Sequence, residues 1–457
     1  MTMVTELADF VTSRKWEDLS PASQKELKIR TLDALGCALG ALNGPPITAI
    51  AHLVREFDEG GNQACTLIGR SGSKSAPDRA TLHNGALARY LDFNDSYLAK
   101  GETCHPSDNV APVLAAAEYA DATGEEFLLA LGIAYQVQCR LSEVAPVRNK
   151  GFDHVTQGAY AVAAGASKAL DLETEETANA IAIGGTALNA LRVTRTGKLS
   201  NWKGLAYPFM ASCSVTAVFL AREGITGPLE VFEGNKGFMD AISGSFEVNW
   251  SKEKLDLVER TILKKYNAEV HSQSAIECIL KLRAAGLKAE DVESAEVRIF
   301  DVAFNIIGGG EEGEKKNVST KEEADHSLPY ILAVALLDGK VGPAQYTPQR
   351  IDSSDVQTLL RRISIVSDPE FSAEFPQKVP CEITVKTKDY RRLKEKTTDY
   401  EGFFTRPMTW KTAIAKFSSL APPRVDPALQ RSIIEAVSGL DKIRIRELTA
   451  LLGRVRP

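Results

Sequence analysis

Apolar residues recur at helical spacing through the first half of the chain. Leu32, Leu35, Leu39 and Leu42 fall three or four apart, and Asn43-Gly44-Pro45-Pro46 ends the run. Ser20 followed by Pro21 reads as an N-cap with proline at the first helical position. VAPVLAAAEYADA ends before Gly124, and Thr123 with Glu126 makes a capping-box pair ahead of FLLALGIAYQVQCRL. YAVAAGASKAL, TANAIAIGGTALNAL and LAYPFMASCSVTAVFLARE follow, all rich in alanine and glycine. Small side chains let helix axes approach closely, so the pattern predicts a compact bundle with several buried helices.

The period changes near residue 264. SAIECILKLRAAG is helical, whereas ESAEVRIFDVAF alternates like a strand. HSLPYILAVALLDG returns to helix, SDVQTLLRRISIVSD runs from helix into strand, and CEITVKTKDYRRLKEKTTDYEG reads as a strand pair with a charged outer face. The tail is helical again in TWKTAIAKFSSLA, PALQRSIIEAVSGL and IRELTALLGRV. The fold expected is mainly α. A large all-helical domain is built from residues 1–265 and a return at 401–457, with a smaller α+β domain inserted at 266–400. No fixed-period repeat or low-complexity tract interrupts this plan.

Composition narrows the function classes. At 457 residues the chain exceeds one ordinary core, and 44 % apolar with 25 % charged residues suits a globular protein. No apolar run of about 18 residues free of charges and turn signals is evident, so no membrane span is expected. The N-terminus MTMVTELADFVTSRKWEDL lacks a signal-peptide core, and a cytoplasmic location is expected. A net charge of −6 argues against nucleic acid as a partner. Seven cysteines with no CxxC pair suggest neither a zinc ribbon nor an iron–sulfur site, and their odd, scattered placing suits a reducing compartment. There is no GxSxG elbow and no P-loop, and the glycine clusters at 184–185 and 308–310 follow no strand.

What remains is histidine chemistry. Five of the six histidines sit in polar strings: His83, His105, His154, His271 and His326. Imidazole titrates nearest neutrality and is the usual proton carrier. The richest string holds Asp92, Asp95, Ser96, His105 and Asp108; four residues separate Asp92 from Ser96, so on a helix they share a face. The plainer account makes Asp95 and Asp108 helix caps. Arg192, Arg195, Lys198 and Lys203 form a cationic string suited to clamping carboxylates, unless these are solvated loop charges. Asp153-His154 precedes a helix, where an N-cap beside an exposed histidine is the plainer account. Lys264, Lys265 and His271 mark the seam between the helical and α+β parts, and Tyr330 lies one turn after Asp325-His326-Ser327.

LDFNDSYLAKGETCHPSDN, GFDHVTQGAYAVAAGASKAL, TRTGKLSNWKG, KKYNAEVHSQSAIE and EEADHSLPYILAVALLDG resemble, in order, the successive signatures of the MmgE/PrpD family. That family includes 2-methylcitrate dehydratase, cis-aconitate decarboxylase and iminodisuccinate epimerase. The resemblance implies a helical domain with an α+β lid, an active site between them, a homodimer, and no cofactor or metal. It carries the family's aspartate onto Asp92, its hydroxyl residue onto Ser96, and its histidine-proline motif onto His105. Its lysines fall on Lys203 and Lys264 and its tyrosine on Tyr330. The second histidine falls on His154, or on Asp153 with a one-residue offset.

The activity expected is dehydration of 2-methylcitrate or a close di- or tricarboxylate, with decarboxylation of cis-aconitate or epimerisation of iminodisuccinate as variants. A catalytically silent helical scaffold is the alternative from another class. Asp92, His105, His154 and Lys203 are the expected catalytic residues. Ser96, Arg192, Lys264, His271 and Tyr330 are the expected substrate ligands.

Overall fold

Helices Gly124–Val144 and Val155–Ala169 pack tightly because Gly165 has no side chain. A Cβ there would lie 2.8 Å from the Cβ of Ala134 and 3.1 Å from the carbonyl oxygen of Ala130. The first of these helices starts on the Thr123–Glu126 capping box. The computed structural model describes residues 2–58, 64–422 and 425–456. Its secondary structure is mostly helical with a small sheet region.

Contacts divide the chain into two compact units. The first comprises Met1–Arg192, Gly204–Thr261 and Thr409–Pro457; the second comprises Val193–Lys203 and Ile262–Met408. The cationic string at 193–203 therefore groups with the α+β part and not with the helical stretch 1–265 in which it lies in sequence.

Among its described residues the first unit is mainly helical and carries two strand pairs. β1 (Cys65–Thr66) pairs antiparallel with β2 (Lys74–Ser75), and β3 (Tyr97–Ala99) with β4 (Glu102–Cys104). Helix Trp410–Leu420 returns onto helix Pro21–Gly40: Gly36 lies so close to Phe417 that an added Cβ would sit 3.2 Å from its Cα. Lys416 secures the contact, with Nζ 2.7 Å from Asp33 Oδ1 and 2.7 Å from the carbonyl oxygen of Phe93.

Helix Trp202–Arg222 is, by length and composition, apolar enough to cross a membrane, with 56 % of its apolar stretch buried. A core helix of a globular protein meets the same test.

The second unit carries a four-stranded sheet ordered β6-β5-β7-β8, with β5 at Val292–Ile299, β6 at Ile363–Ser367, β7 at Cys381–Thr387 and β8 at Arg392–Thr397. β6 runs parallel to β5, and the other pairings are antiparallel. The alternation read in the sequence is realised here: Ala295, Val297 and Ile299 are buried while Glu296 is exposed. Helix Gln273–Ala284 lies against β7 and β8.

Candidate active site

In the first unit the β3–β4 hairpin sets the geometry. Tyr97 pairs with Cys104, so Ser96 and His105 are the next residues across the ladder. Ser96 Oγ and His105 Nδ1 are 3.0 Å apart, and the same nitrogen lies 2.8 Å from the carbonyl oxygen of Asp95. A carbonyl only accepts, so Nδ1 carries the proton and the neutral ring has its lone pair on Nε2. The edge of His105 meets the ring of His154, with centroids 5.3 Å apart and planes at 72°.

His154 is buried, not exposed, and begins helix Val155–Ala169. Its Nδ1 is 2.9 Å from Asp153 Oδ1, an orientation that fixes the tautomer as it does for His105. Asp153 is itself anchored, donating its backbone N–H to the carbonyl of Ala190 at 2.9 Å. Arg192 Nη1 is 4.0 Å from Asp153 Oδ2. Tyr207 stacks on His154 at 6.5 Å and donates its hydroxyl to Asn109 Oδ1 at 3.0 Å.

Asp92 does not share a helical face with Ser96. Helix Pro77–Tyr90 ends before it, and Asp92 takes the left-handed conformation at φ +52°, which aspartate tolerates better than most residues. The turn brings its carboxylate back to Arg89, with Nη1 2.6 Å from Oδ1. Arg89 also donates to Asn94 Oδ1 at 3.0 Å and approaches Asp108 Oδ2 at 3.6 Å. Asn94 in turn donates to Asp108 Oδ1 at 2.8 Å and Ser107 Oγ at 3.0 Å. Asp95 accepts from the Ser107 N–H at 2.9 Å and the Tyr135 hydroxyl at 2.8 Å. Burial pushes its carboxyl above the ordinary value despite Arg30 and those two donors.

A second polar cluster lies in the second unit. Lys203 is buried rather than solvated; its Nζ is 2.9 Å from Asp325 Oδ1 and 2.8 Å from His326 Nδ1. His326 Nδ1 is also 2.7 Å from Asp325 Oδ1. An ammonium only donates and a carboxylate only accepts. Nδ1 therefore accepts from Lys203 when it is unprotonated and donates to Asp325 when it carries a proton. Lys321 Nζ is 2.8 Å from the other oxygen of Asp325. Burial alone would raise the Asp325 carboxyl, but Lys203, Lys321 and His326 hold it well below the usual carboxylate range.

The Asp325 backbone carbonyl accepts from Glu269 N–H at 3.1 Å and ties in the next pair. Glu269 Oε1 is 2.7 Å from His271 Nδ1. Burial opposes its ionisation, yet His271, His326 and Lys264 bring its pKa down to about 2. The His271 ring packs against the stacked pair Phe300–Phe375, 5.7 and 5.8 Å from their centroids, and its buried Nε2 has no hydrogen-bond partner among the described residues. Lys264 is buried. Tyr330 stands differently: its N–H donates to the Ser327 cap at 3.1 Å and its hydroxyl to the carbonyl of Gln345.

Two family models match the chain, the MmgE/PrpD N-terminal domain over residues 5–251 and the C-terminal domain over residues 266–442. The chain belongs to the MmgE/PrpD family. A 2-methylcitrate dehydratase of Escherichia coli strain K12 is 26 % identical, the alignment covering 97 % of this chain and 95 % of that one. A 2-methylcitrate dehydratase of Cupriavidus necator is also 26 % identical, over 98 % and 95 %. A cis-aconitate decarboxylase of Mus musculus is 25 % identical, over 96 % and 91 %.

Within this MmgE/PrpD chain the sequence reading missed Arg89, Asn94, Tyr135, Tyr207, Glu269 and Lys321. Arg89 and Lys321 carry a local signal: each stands three or four residues from its aspartate. Tyr135 and Tyr207 reach across 40 and 98 positions of sequence, which no spacing rule exposes. His83, flagged with the others, is structural. Its Nε2 accepts from Arg70 Nε at 3.3 Å, its Nδ1 is 3.1 Å from Asn84 Oδ1, and burial pushes it down to about 4. All seven cysteines are free thiols, six of them buried.

Proposed function

We propose that this protein is a cofactor-free hydro-lyase that dehydrates 2-methylcitrate, or a close tricarboxylate, to 2-methyl-cis-aconitate. One observation carries the reading: two imidazoles meet edge to face, each with Nδ1 held by a fixed oxygen. Two imidazolium ions at that spacing repel, so one ring is favoured as base while the other holds a proton as acid. Dehydration needs both roles. A C–H bond next to a carboxylate breaks, a C=C bond forms, and the hydroxyl leaves with a proton as water.

The carbon acid is too weak for an unaided histidine. The reaction therefore needs cations where the enediolate charge develops, worth several kcal/mol. We assign that work to Lys203 with Lys264, and proton transfer to His105 and His154. Asp92, paired to Arg89, is assigned to the substrate hydroxyl. Ser96, Arg192 and His271 are assigned to binding; the Nε2 of His271, without a hydrogen-bond partner among the described residues, supports its inclusion. Tyr330 joins them through an oxygen lone pair, since its proton is given to Gln345.

The mouse relative keeps cis-aconitate decarboxylation as the second reading. Purified protein offered 2-methylcitrate, citrate, cis-aconitate and iminodisuccinate, with products followed directly, separates the readings. Water loss from 2-methylcitrate is the expected result; carbon dioxide from cis-aconitate alone would replace it. His105→Ala and Lys203→Ala should each lower kcat/KM by about 10²–10⁴-fold in folded protein. Full activity in both would overturn the assignment, as would an activity abolished by EDTA.

The same reading includes a homodimer. Phe209, Thr216 and Leu220 stand exposed at helical spacing on Trp202–Arg222, with Ile225 and Leu229 exposed just beyond. Light scattering should give twice the chain mass, and Phe209→Asp with Leu220→Asp should halve it.

A further inference from the structure

The last helix of the chain, Ile445–Gly453, closes on the loop between β1 and β2. A Cβ on Gly453 would lie 3.3 Å from Thr66 Cγ2 and 3.8 Å from Gly72 Cα. Beside this contact is a groove of about 480 Å³. Lys74, Arg446, Arg454 and Arg456 line it, and among the described residues no carboxylate does. In a chain of net charge −6, four cations in one lining without an acid is a marked local excess.

Ion pairing balances part of this charge. Lys74 Nζ is 3.3 Å from Glu118 Oε1 and Arg446 Nε is 3.3 Å from Asp121 Oδ1. Glu118 is buried and also accepts from the N–H and hydroxyl of Thr66 at 2.8 and 2.7 Å. Among the described residues Arg454 and Arg456 form no ion pair. Complementing the negative end of the helix accounts for an arginine just after Gly453. It does not account for Arg446, which stands in the first turn, where a cation runs against the dipole, nor for Lys74 on the hairpin.

We propose that this groove binds a small, multiply charged phosphate anion: a pyrophosphate group, free or carried on a nucleotide. Arginine forks match phosphate oxygens two at a time, and the volume suits a small molecule rather than an extended polymer.

The test is calorimetric titration of the full-length protein with pyrophosphate and, separately, ADP, in wild type and in Arg454→Ala/Arg456→Ala. Saturable binding, weakened at least tenfold in the double variant, is expected. The variant's melting temperature without anion should stay within a few degrees of wild type, because among the described residues neither arginine is ion-paired and only one helix-end charge is lost, and pyrophosphate should raise it in wild type only. ADP binding more tightly than pyrophosphate would assign the nucleotide as source; equal binding would assign the free anion. Absent binding, or binding undiminished in the variant, overturns the proposal. Wild type that ignores pyrophosphate but sediments with phosphatidylserine vesicles also overturns it, in favour of a membrane surface.

Discussion

The two polar clusters bury similar side chains and treat charge in opposite ways. In the helical unit, Asp95 accepts from two neutral donors, Ser107 N–H and the Tyr135 hydroxyl, and burial pushes its carboxyl up although Arg30 opposes it. In the α+β unit, Glu269 and Asp325 are as deeply buried, yet both are held down, by His271, His326 and Lys264 in one case and by Lys203, Lys321 and His326 in the other. Burial penalises all three ionised carboxylates; the cations within reach decide its outcome. One cluster is thus suited to moving protons between imidazoles, and the other to holding fixed charge.

The comparison breaks most visibly at its aspartates. Asp325→Ala leaves Lys203 and Lys321 without their shared carboxylate, and removing one partner of a buried pair costs about 3–5 kcal/mol. Asp95→Asn keeps one acceptor oxygen for Ser107 or Tyr135 and should cost about 1–2 kcal/mol. Denaturant unfolding of the two variants measures both. Equal losses would mean that the cations of the α+β cluster are not held by Asp325.

Acid sharpens the same contrast. Glu269 stands at about 2 instead of its ordinary 4.5, so its stabilisation is complete above 4.5 and is lost as pH falls through 2. His83 stands at about 4 instead of 6.5, so the unfolded chain takes up its proton first; that contribution is complete above 6.5 and is lost as pH falls to 4. Each amounts to about 3 kcal/mol. Asp95 works in the other direction, since a raised carboxyl is a cost at neutral pH that acid relieves. Stability against pH should therefore fall in two limbs. His83→Gln should flatten the limb from 6.5 to 4, and Glu269→Gln the limb from 4.5 to 2. A wild-type curve flat from 6.5 to 4 would contradict the burial of His83.

Local rules reached some of these features and not others. The Thr123–Glu126 box, the Ser20-Pro21 start and the alternation of β5 rest on neighbours in sequence, and the structure realises all three. Asp92 was misplaced because the end of its helix depends on one left-handed residue that is not glycine, a conformation its neighbours in sequence do not announce. The histidines could be singled out by composition, but their tautomers could not. Those depend on the carbonyl of Asp95, brought round by a hairpin, and on the carboxylate of Asp153, whose N–H is pinned to Ala190, 37 residues later. The grouping of 193–203 with the α+β unit was hidden for the same reason: Lys203 meets its partners 122 and 123 positions away.

The smallest effect expected tests how firmly the proton-moving cluster is held. Ser96 Oγ and the Asp95 carbonyl both face His105 Nδ1, and the carbonyl is the closer, at 2.8 against 3.0 Å. Ser96→Ala leaves the shorter bond, so the ring keeps its tautomer and its place. The loss is one neutral hydrogen bond of about 1 kcal/mol, or roughly fivefold in kcat/KM. The pH profile of kcat should not move, because the proton on Nδ1 still has its acceptor. A shifted profile would mean that the hydroxyl, rather than the hairpin backbone, orients the imidazole. His154, held through a carboxylate, would then be the better anchored ring of the two.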